Sequence, residues 1–370
     1  MSEITLLTMP KWGLSMQAGK VNLWLKQPGD TVCAGDELVE VESEKIAGAL
    51  ESRGAGVLRR QVAQVDDVLA VGGLLGVIAS VETPEVEIDA VVADFLANFR
   101  PAEAGAGDMG PVPEKITVGT QTLRYLRRGD GAEKVILLHG FGGDLNNWLF
   151  NHELLAATRT VFALDLPGHG ESTKDVGAGT IDELSQTVRG FMRAMEITSA
   201  HLVGHSLGGA VALATALTDP QAVNSLTLIA SAGLGAEVNG GFIEGFVSAT
   251  NRNQLKPHAA KLFADAGLVT RSFVDDLLKY KRTEGVDDCL RKLAAGVFAG
   301  GRQSTILRDQ LGALGKPVLV IWGEQDAIIP CAHAAGLPAS VQAAVIPGKG
   351  HMVMMEAANE VNRLIAAFLG

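Results

Sequence analysis

The order of sequence patterns predicts two domains: a flattened all-β barrel, and behind a tether an α/β domain carrying a helical lid. Three observations predict it. Residues 1–82 hold short alternating runs cut by turn signals. Residues 101–113 are Ala, Gly, Pro and acid, without any pattern that builds a core. From residue 114 onward, continuous apolar runs alternate with helical patterns. A chain of 370 residues is also long for one compact core.

In the first module, Pro28-Gly29-Asp30 and Gly35-Asp36 read as turns. Leu38-Val39-Glu40-Val41-Glu42 alternates apolar and acidic residues as a half-buried strand does, and Leu74-Leu75-Gly76-Val77-Ile78 closes the unit. The two halves echo each other. Gly29-Asp30-Thr31-Val32 and Gly35-Asp36-Glu37-Leu38 are matched by Asp66-Asp67-Val68-Leu69 and Gly72-Gly73-Leu74-Leu75, so a barrel with internal pseudo-symmetry is expected.

Residues 83–113 are expected to link the modules. Val86, Ile88, Val91, Val92, Phe95, Leu96 and Phe99 have helical spacing, which allows a short amphipathic helix. The 13 residues from Pro101 to Pro113 span at most roughly 40 Å.

Five apolar runs in residues 114–370 predict central parallel strands: Val135–Leu138, Thr160–Leu164, His201–Val203, Leu226–Ile229 and Val318–Ile321. Helical patterns between them place helices on both faces of the sheet. Residues 233–301 interrupt the alternation with helical segments alone, and read as a lid inserted between two strands.

Composition narrows the function. The chain is 47% apolar and 20% charged, as a packed globular protein is. Of its net charge of −11, nine units lie ahead of residue 114, and nothing resembles a basic stripe, so neither nucleic acid nor an anionic membrane is an expected partner. There is no basic-then-apolar leader and no apolar run of spanning length, so a cytoplasmic location is expected. Cys33, Cys289 and Cys331 are too scattered for a disulfide framework or a zinc site.

Gly204-His205-Ser206-Leu207-Gly208 carries the chemistry of the second module. A strand-like run precedes it and a helix-forming run follows, which is the context in which small flanking residues let the backbone turn sharply and expose a serine hydroxyl. Such a hydroxyl needs a base and an orienting acid. His351, in Gly348-Lys349-Gly350-His351, is the expected base. Asp326 is the expected acid, with Glu324 as the alternative. His139-Gly140-Phe141-Gly142-Gly143 follows the first central strand, and the amides of Phe141 and Leu207 are the expected oxyanion donors. His139 and His205 border this site and are read as loop-shaping, as are Asp165 and His169; His152, His201, His258 and His333 receive no role. Together with Asp165-Leu166-Pro167-Gly168-His169-Gly170-Glu171-Ser172, these residues resemble the α/β-hydrolase superfamily across 114–370.

In the first module, Glu42-Ser43-Glu44-Lys45-Ile46 lies between two strand-like segments, the second resuming near Gly54-Ala55-Gly56-Val57. With the turns at Pro28-Gly29-Asp30 and Gly35-Asp36, this spacing resembles that of lipoyl domains over residues 4–80. The resemblance implies lipoate amide-linked to Lys45. Glu44 and Ile46 depart from the Asp and Ala usual beside that lysine, and biotin is the alternative group, although its carriers flank the lysine with methionines.

The two modules together resemble the dihydrolipoamide acetyltransferase components of acetoin dehydrogenase systems. No H-x-x-x-D-G motif of the trimeric acyltransferases occurs, and residues 83–113 offer no convincing subunit-binding domain. The resemblance implies transfer of an acetyl group from the lipoyl arm to coenzyme A. It implies as partners a thiamine-diphosphate-dependent dehydrogenase component and a dihydrolipoamide dehydrogenase. Two other readings stay open: a hydrolase with water as acceptor, and a non-catalytic lipoyl scaffold.

Overall fold

The computed structural model describes residues 4–10, 16–43, 47–52, 54–100 and 111–370. It divides into two compact units, residues 1–110 and 111–370.

The first unit contains β1 (Thr5–Thr8), β2 (Ala18–Trp24), β3 (Thr31–Val32), β4 (Glu37–Glu42), β5 (Ala47–Glu51), β6 (Gly56–Gln61), β7 (Val68–Ala70), β8 (Leu74–Ala79) and helix α1 (Glu85–Asn98). Its strands form two four-stranded sheets, ordered β1-β8-β6-β3 and β5-β4-β2-β7. Advancing each strand by four places, cyclically, converts one order into the other, which is the repeat expected from the sequence echo. The turns repeat in atomic detail as well. Asp30 accepts a hydrogen bond from the amide of Gln27, and Asp67 accepts one from Gln64, each at 2.7 Å. Gly35 and Gly72, after the two turns, have φ of 91° and 83°, a region open to glycine without steric cost. Between the sheets lie Val21, Val32, Leu38, Val39, Val41, Leu58 and Leu75, each fully buried. Trp24 joins them and satisfies its indole N–H on the carbonyl of Ala63 at 3.0 Å.

The helical spacing at residues 86–99 is realised as α1. This helix packs Ile88 and Val92 against Val77 and Ala79 of the barrel. Glu85 at its start pairs with Arg59 and, at 2.7 Å, with Arg60, which also reaches Asp89 at 2.9 Å. The stretch expected to be linker therefore begins with a helix that belongs to the barrel.

The second unit contains β9 (Glu114–Val118), β10 (Gln121–Arg128), β11 (Lys134–Leu138), α2 (Leu149–Leu155), β12 (Thr160–Leu164), α3 (Ile181–Ala194), β13 (Ala200–His205), α4 (Leu207–Thr218) and β14 (Val223–Ile229). Helices α5 (Gly240–Ser248), α6 (Arg252–Ala259), α7 (Arg271–Lys281) and α8 (Val286–Val297) follow. The unit ends with β15 (Val318–Gly323), β16 (Val341–Ile346), α9 (Val353–Glu356) and α10 (Ala358–Leu369). Its eight strands are ordered β16-β15-β14-β13-β11-β12-β10-β9. The six from β11 to β16 run parallel, and β10 and β9 extend the sheet antiparallel. All five apolar runs of the sequence occupy β11 to β15, whose residues are almost entirely buried. Helices α5–α8 fill the interval between β14 and β15, where the lid was expected. Among the described residues, no helix is long and apolar enough to cross a membrane.

Candidate active site

Strand β13 delivers Ser206 to the carboxyl end of the sheet. Ser206 stands at φ 52° and ψ −117°, a conformation rare outside glycine, and α4 begins at the next residue. Its neighbours show why small residues flank it. A Cβ on Gly204 would lie 2.3 Å from the carbonyl oxygen of Gly208, and one on Gly208 would lie 2.2 Å from that of Leu138. The Ser206 amide donates to the carbonyl of Ile229 at 2.9 Å, and its own carbonyl accepts from Gly209, Ala210 and Ala232. The serine is therefore held by its backbone, leaving the side chain at the wall of a pocket that His351 also lines.

Asp326 stands behind His351. Its Oδ2 is 2.7 Å from His351 Nδ1, and its side chain is wholly inaccessible to solvent. The carboxylate is surrounded by donors: the amides of Ile328 and Ile329 meet Oδ1 at 2.8 and 3.0 Å, and Trp322 Nε1 meets Oδ2 at 3.1 Å. Such a set fixes the direction of the carboxylate. Glu324, the alternative acid, is exposed and accepts instead from the Gly348 amide at 3.2 Å. The geometry brings Asp326, and not Glu324, to the histidine.

The loop after β11 is shaped by buried imidazoles. Nε2 of His139 accepts from the Leu166 amide at 3.0 Å, which leaves Nδ1 as the donor to the Gly140 carbonyl at 2.8 Å. Nε2 of His169 accepts from the Gly142 amide at 3.1 Å, and its Nδ1 donates to the Pro167 carbonyl. Both rings are thus neutral. Burial agrees, pushing His139 down to about 4 and His169 well below its ordinary value. With Gly142 occupied by His169, the amides of Phe141 and Leu207 remain without a hydrogen-bond acceptor among the described residues. Two unsatisfied N–H groups beside a serine are what an oxyanion requires. Gly140 permits the approach, since a Cβ there would lie 2.8 Å from His205 Nδ1.

His205 and Trp322 support the site without facing it as acids or bases. His205 Nε2 donates to the backbone carbonyl of His351 at 3.0 Å, and burial holds this ring far below its ordinary pKa. His205 was legible as loop-shaping. Trp322 was missed because an apolar strand residue advertises only packing; the indole four residues before Asp326 was the available signal. Asp165 accepts from the amides of Leu145 and Glu171 and from Arg124, the structural part its loop suggested.

The pocket encloses about 40 Å³. Phe141, Phe246 and Phe298 form one wall, with ring centroids 5.9 Å (Phe141–Phe246) and 5.8 Å (Phe141–Phe298) apart. Among the described residues, no cluster of His, Cys, Asp and Glu could hold a metal ion. Lys45 lies outside the described residues; on either side of it, Glu42 of β4 pairs with Ala47 of β5.

Comparison with known proteins assigns a class to each unit. Residues 5–78 match the biotin-requiring enzyme family, and residues 134–358 match the alpha/beta hydrolase fold family. A meta-cleavage product hydrolase from Pseudomonas fluorescens IP01 superposes with a TM-score of 0.63 at 24% identity, covering 69% of this chain and 97% of its own, a likeness of fold. Two curated relatives span both units, each a dihydrolipoyllysine-residue acetyltransferase component of an acetoin cleaving system. That of Pseudomonas putida is 54% identical, covering 100% of this chain and 99% of its own length. That of Cupriavidus necator is 48% identical, covering 98% and 97%. The chain belongs to this family of acetyltransferase components.

Proposed function

We propose that this chain transfers an acetyl group to coenzyme A, by way of Ser206, from a lipoyl arm carried on Lys45. The full-length similarity to the two acetyltransferase components supports the reaction. The observation that carries the residue assignment is the 2.7 Å contact between Asp326 and a His351 lining the same pocket as Ser206.

Lipoate in amide linkage to Lys45 supplies a thiol on which the acetyl group arrives as a thioester. The strands on either side of residue 45 pair, Glu42 of β4 with Ala47 of β5. Ser206 Oγ attacks the thioester carbonyl while Nε2 of His351 takes its proton. Asp326 holds the imidazole in the tautomer with Nδ1 protonated, and stabilises the imidazolium. The amides of Phe141 and Leu207 receive the developing oxyanion; loss of one such donor costs about 2.7–4 kcal/mol in the barrier. The carbon–sulfur bond breaks, and the departing thiol takes the proton from His351. Coenzyme A thiol then gives its proton to His351 and attacks the acetyl-serine; the ester bond to Ser206 Oγ breaks, and Oγ takes the proton back from His351. Water would intercept the same acetyl-serine, so the helices of residues 233–301 serve to exclude it.

The partners implied are a thiamine-diphosphate-dependent component that loads the arm and a dihydrolipoamide dehydrogenase that reoxidises it, together in the cytoplasm. Tethering gives the arm an effective concentration in the mM range, so affinity between carrier and pocket need not be high.

The test is acetyl transfer from acetyl-dihydrolipoamide with and without coenzyme A, for wild type and Ser206→Ala. Coenzyme A-dependent acetyl-CoA formation that disappears in Ser206→Ala supports the proposal. Acetate released at the same rate without coenzyme A identifies a hydrolase, the reading that rests on the same serine, aspartate and histidine. Undiminished complex turnover by Ser206→Ala identifies a scaffold.

A further inference from the structure

Glu356, five residues beyond His351, is not used by the mechanism above, and its surroundings are unusual. Its Oε2 accepts from the Gly350 amide at 2.6 Å, immediately before His351. Its Oε1 accepts from the amides of Ala264 and Asp265, at 2.9 and 3.4 Å, in the stretch between α6 and α7 of the lid. One carboxylate therefore joins two backbone segments some 90 residues apart. A second, independent bond crosses the same seam, from the Met352 amide to the Leu262 carbonyl at 2.9 Å. The segments touch so closely that a Cβ on Gly350 would lie 2.5 Å from the Ala264 nitrogen. The seam borders the pocket, which Leu262, Phe273 and Leu277 line from the lid and His351 and Met352 from the other side. Burial pushes the Glu356 carboxyl above its ordinary range, with the amides of Gly350, Ala264 and Asp265 and the charge of Lys349 acting against that.

We propose that Glu356 is a positioning residue that locks the lid to the His351 loop and so keeps water from the acetyl-serine until a thiol arrives. This rests on the acyl-serine reading under Proposed function. A lid that moves without the base loop opens a path for water beside His351, whose ability to deprotonate an acceptor does not distinguish water from a thiol. With the clamp intact, lid and base hold one geometry, and a thiol delivered through the pocket is the acceptor within reach.

The experiment uses the full chain, acetyl-dihydrolipoamide and coenzyme A, with acetate and acetyl-CoA quantified in the same reaction. Glu356→Gln loses the charge and sets an NH₂ group against an amide donor; Glu360→Gln, on the exposed side of α10, controls for lost charge. The expected result is an acetate to acetyl-CoA ratio raised about tenfold or more in Glu356→Gln, unchanged in Glu360→Gln, and abolished with both products by adding Ser206→Ala. An unchanged ratio, or a proportional fall in both products, overturns the clamp while leaving the acyl-serine reading intact. Products that persist in Ser206→Ala overturn that reading instead. Hydrogen exchange on the wild type is a second test that needs no variant: the peptides spanning 260–268 and 347–352 are expected to open together. Fast exchange of the first beside a protected second overturns the clamp.

Discussion

At the scale of single residues, Asp326 is the most constrained group of the site. It takes three N–H donors besides His351, so an amide in its place turns an NH₂ toward a donor and reverses the tautomer asked of the histidine. Asp326→Asn is expected to lower kcat about 10⁴-fold, and to cost about 1–3 kcal/mol of stability for the opposed buried donors; a rate loss under tenfold contradicts the assignment. Trp322 donates to both Asp326 and the Ile329 carbonyl. Trp322→Phe strands those acceptors and is expected to cost about 1–3 kcal/mol in urea denaturation, with a smaller fall in rate than Asp326→Asn. The pairing of Asp326 with His351 was legible because a nucleophilic serine needs a base and an acid to orient it, and the sequence offers Ser206, Asp326 and His351 in the chain order of an α/β-hydrolase fold. The neutral state of His139 and His169 was not legible, because it depends on which amide each ring nitrogen meets across residues distant in sequence.

At the scale of elements, the turn from β13 into α4 tolerates no Cβ at its ends. Gly208→Ala sets a methyl against the carbonyls of Leu138 and His139, and is expected to destabilise the unit by about 3 kcal/mol or more. Equal midpoints for variant and wild type in denaturant contradict this. The buried imidazoles around the sheet also carry an acid liability. Burial holds His139 and His152 down to about 4, and His169 and His205 well below 6.5. Between those values and 6.5 the unfolded chain binds more protons, so stability is lost as pH falls through this window. Asp165, raised to about 6 by burial, acts oppositely between 3.8 and 6, as does Glu356 above its ordinary range, but as two groups against four. The melting temperature of residues 111–370 is therefore expected to fall between pH 7 and pH 5; a flat or rising profile contradicts the buried neutral imidazoles. Strands β11 to β15 were legible as continuous apolar runs because both faces of a central parallel strand are covered. β16 was not: as an edge strand it leaves half of its residues exposed, and Val341-Gln342-Ala343-Ala344-Val345-Ile346 is a short run centred on two alanines, which carry no strand signal.

At the scale of the whole molecule, the barrel and the larger unit have separate cores. The barrel's repeat was legible through matching Asp and Gly turns, whereas the attachment of α1 was not: of its many apolar residues only Ile88 is fully buried, and Arg59 and Arg60 of β6 contribute through ion pairs that no periodicity announces. Lys45→Arg is expected to remove lipoate from the intact mass and to stop acetyl delivery within the complex; retained lipoate in that variant moves the attachment elsewhere. The acceptor was legible only through the resemblance carried by the two modules together, since the same serine, histidine and aspartate serve water and thiol alike. The decisive measurement is mass analysis of the peptide containing Ser206 after the full chain is mixed with acetyl-dihydrolipoamide, before and after coenzyme A is added. The account predicts an acetyl adduct on Ser206 that accumulates first and is then discharged as acetyl-CoA. Acetyl-CoA formed while that peptide stays unmodified at every time sampled, and formed equally by Ser206→Ala, would contradict it.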